Sequence, residues 1–217
     1  MRILQLQKIT QKKYKVVLED GTSFPLYAGE IRRYRLEEEG EIPDQELAVI
    51  LDEVVGRRAR LRCLNLLKAM DRTEAQLRER LSRDGYPDKI ADGAIAYAAS
   101  YHYIDDRRYA ETYVRQQSGK KSSMQIRYAL MQRGISRELV SEVMDSGLSE
   151  TEGSEDPDLS VIRSLARKRH FDPETADEDQ SRRFLQYLMR RGFRISQIRE
   201  ALAAGSPGAS FQGGDDF

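Results

Sequence analysis

Residues 100–117, SYHYIDDRRYAETYVRQQ, set His102 shortly ahead of paired carboxylates, Asp105 and Asp106, with Arg107 and Arg108 directly after them. A histidine and two aspartates this close together could bind a divalent metal or share a proton as general acid and base. The same residues also suit a helix start. An N-cap Asp accepts hydrogen bonds from the free N–H groups of the first turn, a second Asp there is favoured by the helix dipole, and Ile104 just before them can act as a hydrophobic staple. No third carboxylate or histidine is placed to complete a hydrolytic site, so helix capping accounts for the pair without a metal.

The elements that must position these residues show in the rest of the chain. Its 217 residues are 39% hydrophobic, 33% charged and only 8% aromatic, with no tryptophan, which predicts charge-laced helices around several small cores. Cys63 is the only cysteine, so no intramolecular disulfide can form, and with two histidines no zinc-finger ligand set can be assembled. A reducing cytosol fits this usage. No apolar run suits a signal peptide or a membrane span, so the chain is expected to be cytoplasmic and free of membrane. The zero net charge hides an uneven distribution: −3 over residues 1–56, +6 over 57–147, −5 over 148–158 and +2 over 159–217. A basic middle beside acidic segments suits a nucleic-acid-associated or acidic-surfaced partner.

The first quarter reads as a small αβ module. Tyr14, Val16 and Leu18 alternate, Asp20-Gly21 offers a type I′ turn, and Phe24 and Leu26 continue the alternation, with a further strand around Leu4 and Leu6. The pattern turns helical from Glu30 through Gly40 and again after Pro43.

Beyond it lies an internal repeat. QLRERLSRDGY (76–86), QIRYALMQRGI (125–135) and RFLQYLMRRGF (183–193) share one grammar. Leu77 and Leu81, Ile126 and Leu130, and Phe184 and Leu188 are spaced to share a helix face, followed by Gly85, Gly134 or Gly192 and then Tyr86, Ile135 or Phe193. Each glycine suits a left-handed C-cap, with the next apolar residue packing back in a Schellman ending. Thr73 with Gln76 and Ser122 with Gln125 predict capping boxes, which the third copy lacks. Helical patterns flank each copy on both sides, so the unit is three helices.

The organisation predicted is mainly α: an αβ module carrying a β-hairpin (1–56), three tandem three-helix repeats (57–104, 105–147 and 159–203), an acidic linker (148–158) and a disordered tail (204–217). Candidate contact residues are the cations distributed over the repeats: Arg57 and Arg58, beside Arg60 and Arg62, on the first; Arg107, Arg108, Arg115, Lys120, Lys121 and Arg127 on the second; Arg167 and Lys168, beside Arg169, and Arg190 and Arg191 on the third. They could meet phosphates or acidic partner surfaces. Lys120, Lys121 and Arg127 form one patch whose charge reversal is expected to weaken binding without unfolding. Tyr97, Tyr101, Tyr109 and Tyr113 fall at helical spacings; they could stack bases, but such rows more often fill a core, and packing is the expectation. Cys63 is expected to be a buried thiol, and His102 and His170 surface or edge residues.

YIDDRRYAETYV, taken with the three repeats, resembles the signature of the RecX family of bacterial recombination regulators. The resemblance runs from about Arg57 to Ala203. The third unit departs from it in its missing capping box and in a longer approach through KRHFDPETADED. The resemblance implies a non-enzymatic monomer, without cofactor, that modulates the RecA recombinase in DNA repair, homologous recombination and the SOS response. Relatives bind RecA and its filament on single-stranded DNA and usually inhibit ATP hydrolysis and strand exchange, while some act positively. A sequence-specific helix-turn-helix regulator is the alternative, and the charges oppose it: RELVSEVMD carries one basic and three acidic residues, unsuited to a phosphate-lined groove. A nuclease lacks clustered metal-binding carboxylates, and no phosphate-cradling glycine loop appears.

Overall fold

Three antiparallel strands, β1 (Ile3–Lys8), β2 (Lys13–Leu18) and β3 (Ser23–Tyr27), open the chain in the order β1-β2-β3. The computed structural model describes residues 1–149 and 156–203. The alternation acts as expected: Val16, Leu18, Phe24 and Leu26 are buried. The turn differs from the expected type I′. Only Gly21 in this hairpin has a left-handed backbone (φ +82°), and the Gly21 N–H reaches the Leu18 carbonyl at 3.0 Å. Leu18 N–H then pairs with the Thr22 carbonyl at 2.9 Å, leaving a three-residue loop in which the Thr22 N–H donates to the Asp20 carboxylate at 2.8 Å.

Helix α1 (Ala28–Arg33) is shorter than the pattern suggested, because Arg35 turns left-handed (φ +50°) and the Leu36 N–H closes back on the Ile31 carbonyl. From Asp44 the chain is helical without a break to Ala69: α2 (Asp44–Val49), a π-helical segment (Ile50–Gly56) and α3 (Arg57–Ala69). The boundary expected between residues 56 and 57 therefore lies inside a continuous helical run, where Gly56 has ordinary helical backbone. Helices α4 (Glu74–Arg83) and α5 (Asp88–Ser100) complete the first repeat. One apolar core joins the sheet to this repeat, running from Ile3, Phe24 and Leu26 through Val55, Ala59 and Cys63 to Leu77, Leu81 and Ala94. Module and first repeat thus form one compact unit, Met1–Tyr109.

The second unit begins at Ala110, within α6 (Asp106–Gln117), and contains α7 (Ser123–Met131), α8 (Arg137–Ser149), α9 (Pro157–Lys168), α10 (Glu178–Arg190) and α11 (Ile195–Ala203). Ile126, Leu130, Ile135, Val140 and Met144 are buried in the second repeat, and Leu159, Ile162, Phe184, Leu188, Phe193 and Ile198 form the core of the third. Of the segment read as an acidic linker, Ser149 closes α8 and Pro157 opens α9, with Asp156 as its N-cap; residues 150–155, and the tail 204–217, lie outside the described residues. No helix among the described residues is long and apolar enough to cross a membrane.

All three repeats close their second helix in the same way. Gly85, Gly134 and Gly192 have φ of +91°, +81° and +83°. Tyr86, Ile135 and Phe193 donate their N–H groups to the carbonyls of Leu81, Leu130 and Leu188 at 3.1, 3.3 and 3.3 Å. These are the long bonds of Schellman endings, and the side chains at both ends of each are buried. Thr73 and Gln76 form the expected reciprocal box at 3.2 Å each way. Ser122 accepts the Gln125 N–H at 3.2 Å but donates its hydroxyl to the Arg191 carbonyl. The third repeat does carry a capping box, between Asp177 and Gln180. Helix α10 begins about one turn earlier relative to its glycine than α4 and α7 do, which moves the cap out of the expected register.

Candidate functional site

The histidine and paired aspartates at residues 102–106 are parts of helix ends. His102 follows α5 in left-handed conformation (φ +57°), its N–H bonded to the Ala99 carbonyl at 2.8 Å and the Tyr103 N–H to the Ala98 carbonyl at 3.1 Å. It occupies the place that glycine holds in the other endings. His170 does the same after α9 (φ +52°), with Phe171 N–H on the Ala166 carbonyl at 2.9 Å. Asp105 accepts the Arg108 N–H at 2.9 Å as an N-cap, and Ile104 is buried beside it. Asp106 turns to the preceding repeat and accepts the Glu74 N–H, the first of α4, at 3.1 Å. Burial pushes the Asp106 carboxyl above the ordinary carboxylate value, and the Glu74 N–H pulls it partly back. Among the described residues no group of three His, Cys, Asp or Glu side chains could hold a metal. Cys63 is fully buried, and burial pushes its thiol up to about 11.

The candidate cations divide into two kinds. Arg58 pairs with Glu30, donates to the Pro25 carbonyl at 3.0 Å and lies 4.5 Å over the Tyr27 ring, so it fastens α3 to the sheet. Lys121 donates to the Tyr113 hydroxyl at 3.2 Å, and Arg127 pairs with Asp145 at 3.3 Å. Reversing charge in the Lys120, Lys121 and Arg127 patch would therefore also remove these two contacts. Lys120 is exposed, its ammonium closing on the Gln116 carbonyl at 2.9 Å. Arg57, Arg107, Arg108 and Arg115 are exposed on the first and second repeats, and Arg167, Lys168 and Arg190 on the third.

In the third repeat the structure gathers what the sequence scatters. Arg167 and Lys168 end α9, Arg190 ends α10, and the Arg169 and Arg191 guanidiniums approach the Tyr187 ring at 3.9 and 4.9 Å. Tyr187 is held from behind by Phe184, itself stacked on Phe171 at 4.1 Å. Both helices end here, where the carbonyl ends of their dipoles favour cations. Arg183 and Arg169 also border an open hollow of about 370 Å³ with His170, Asp172 and Gln180. Arg167, Lys168, Arg169, Arg183, Arg190 and Arg191 have no carboxylate partner among the described residues, although Arg58, Arg62, Arg78, Arg83 and Arg182 all do. Such a cluster suits an anionic partner, through phosphate or carboxylate groups. Arg183 and Tyr187 escaped the sequence reading, though both lie within the third glycine copy.

The tyrosine row also departs from expectation. Tyr97 and Tyr101 are 39% and 57% exposed, and Tyr103 beside them is 53% exposed, because Ala94, Ile95 and Ala98 take the inward face of α5. Tyr109 and Tyr113 are half-buried.

Comparison with known proteins places these features in a family. Residues 59–97, 105–144 and 156–202 match the first, second and third three-helix domains of RecX. The regulatory protein RecX of Trichlorobacter lovleyi is 35% identical over 144 residues, 64% of this chain and 90% of that protein. That of Clostridium acetobutylicum is 26% identical over 203 residues, 92% of each. A crystal structure of regulatory protein RecX shares the fold with a TM-score of 0.60 at 21% identity, covering 92% of this chain and 98% of that one. RecX from Lactobacillus salivarius does so with a TM-score of 0.59 at 18% identity, over 69% and 95%. The chain belongs to the RecX family of regulatory proteins.

Proposed function

We propose that this chain is a non-enzymatic cytoplasmic regulator that binds the RecA recombinase and its filament on single-stranded DNA, and lowers ATP hydrolysis and strand exchange. It acts as a monomer without a cofactor. Family membership supports the regulatory role, and the cluster around Tyr187 of cations with no carboxylate partner among the described residues is the observation that carries the mode of action. Cations left without internal carboxylates are available to acidic protein surfaces and phosphates, both of which a nucleoprotein filament offers. Three repeats with separate exposed cations give several weak attachments on one chain, so overall affinity builds without a single deep pocket. Binding shifts the filament between growing and dissociating forms to the extent that the two are bound with different affinity. The helix-turn-helix alternative is disfavoured by the same feature that opposed it in the sequence, since α8 carries more acid than base and is unsuited to enter a groove lined by phosphates.

The test is charge reversal on the exposed part of the cluster. Arg167→Glu, Lys168→Glu and Arg190→Glu together leave the Tyr187 ring and its two arginines in place and should weaken binding to the assembled filament by about tenfold or more. Unchanged affinity in a variant with the native circular dichroism spectrum would remove this surface from the account.

A further inference from the structure

We propose that Tyr97, Tyr101 and Tyr103, together with the outer stripe of α3, form a binding site for single-stranded nucleic acid, with unstacked bases on the tyrosine rings and phosphates on Arg57, Arg60 and Lys68. The proposal deepens the regulator reading by giving the chain its own hold on the nucleic acid.

Three adjoining aromatic rings stand in solvent here. The Tyr97 and Tyr101 centroids are 5.0 Å apart at 55°, and those of Tyr101 and Tyr103 are 6.1 Å apart with planes only 20° from parallel. Isolated exposed aromatics are ordinary, but a contiguous group marks a binding surface. The rings are also held in place. Tyr101 caps α5, and the left-handed His102 with its two backbone bonds fixes the chain on which Tyr103 follows. Little backbone freedom remains to be surrendered on binding.

The charge beside the rings selects the ligand. Helix α3, RRARLRCLNLLKA, contains five cations and no acid. Arg57, Arg60, Leu61 and Lys68 fall on one helix face, opposite the buried Ala59, Cys63 and Leu66. The Arg60 guanidinium lies 5.7 Å over the Tyr97 ring, which brings that face against the tyrosines. Arg57 and Lys68 are exposed and have no carboxylate partner among the described residues. Tyrosine and arginine serve protein and nucleic-acid interfaces alike, but lysine is depleted from the former, and an aromatic platform flanked by a helix with five cations and no acid suits single strands, whose bases all offer a π-face.

The experiment measures binding of the full chain alone to a fluorescein-labelled oligothymidylate across a range of salt. Tyr97→Ala/Tyr101→Ala/Tyr103→Ala should bind at least about tenfold more weakly at every salt concentration, with the salt slope unchanged. Tyr97→Phe/Tyr101→Phe/Tyr103→Phe keeps the rings and should bind like the parent. Arg57→Ala/Lys68→Ala should flatten the slope of log affinity against log salt by roughly 0.7 for each phosphate no longer neutralised. The proposal is overturned if the parent chain does not bind the oligonucleotide, or if the alanine variant, with native circular dichroism, binds it equally well. It is also overturned if that variant is impaired only in recombinase binding, which would make the patch a protein-binding surface. The recombinase is absent from the DNA assay, so a negative result there leaves the regulator reading standing.

Discussion

Asp158, in the first turn of α9, accepts the Ser123 N–H at 2.8 Å and the Ser123 hydroxyl at 3.0 Å, and so caps the second helix of the preceding repeat. Asp106 does the same to Glu74 one repeat earlier. Both junctions therefore use one device: an aspartate at the start of a repeat supplies the N-terminal hydrogen bond for the middle helix of the repeat before it. Gln197 adds to the second junction by donating to Asp158 at 3.2 Å and to Asp156 at 2.7 Å. Asp106, one of the two carboxylates that could be read as catalytic, is thus a joint between repeats.

Asp158→Ala should be strongly destabilising. The aspartate is 3% exposed, and removing its carboxylate leaves the Ser123 N–H and the Ser123 hydroxyl without their acceptor, at a cost of about 2–3 kcal/mol. Urea unfolding measures this directly. A change within the small range of ordinary surface substitutions would show that the joint does not hold the repeats' structure.

The first junction should carry a pH signature. The Asp106 carboxyl is raised above its unfolded value near 3.8 by burial, so the folded chain binds its proton more tightly than the unfolded one. The stability this confers is fully present below the unfolded value and is lost as pH rises through the folded one. Asp106→Asn keeps an oxygen to accept the Glu74 N–H and removes the buried charge. It should match or exceed the parent in stability at neutral pH and flatten the pH dependence just above 3.8. A variant clearly weaker at neutral pH would mean that the ionised form is what the joint requires.

Two C-cap glycines should differ in their tolerance of a side chain. Gly85 and Gly192 share left-handed backbone, so alanine at either is strained, by about 1 kcal/mol. A Cβ at Gly85 would meet nothing within 4 Å, whereas one at Gly192 would lie 3.0 Å from Met124 Cβ and 3.2 Å from Ser122 Oγ. Gly192→Ala should therefore lower the unfolding midpoint more than Gly85→Ala. Equal losses would show that Met124 and Ser122 move aside freely.

What the sequence disclosed follows the range of the interactions. The glycine endings were legible because Leu81, Gly85 and Tyr86 are near neighbours in the chain and their pattern recurs three times. His102 and His170 hid the same ending, since nothing in residue type alone marks a histidine as left-handed. The boundary expected after residue 56 falls inside one helical run, because the π-helical segment carries the helix through Gly56. The box at Asp177 fell outside the expected register because α10 starts about a turn early. Helical spacing grouped Tyr97 with Tyr101 but did not say which face of α5 meets the core; Ala94, Ile95 and Ala98 decide that through tertiary packing. The meeting of Arg169 and Arg191 at Tyr187 likewise exists only once α9 and α10 have packed.

The most direct test of the account is the rate of ATP hydrolysis by the host's RecA recombinase on single-stranded DNA as this chain is titrated in, with its binding to the same DNA alone measured at the same salt. The account predicts a saturable fall in hydrolysis at concentrations well below those needed to occupy free DNA. An unchanged rate, together with tight sequence-selective binding to duplex DNA, would contradict it and favour a DNA-binding regulator built on the same helices.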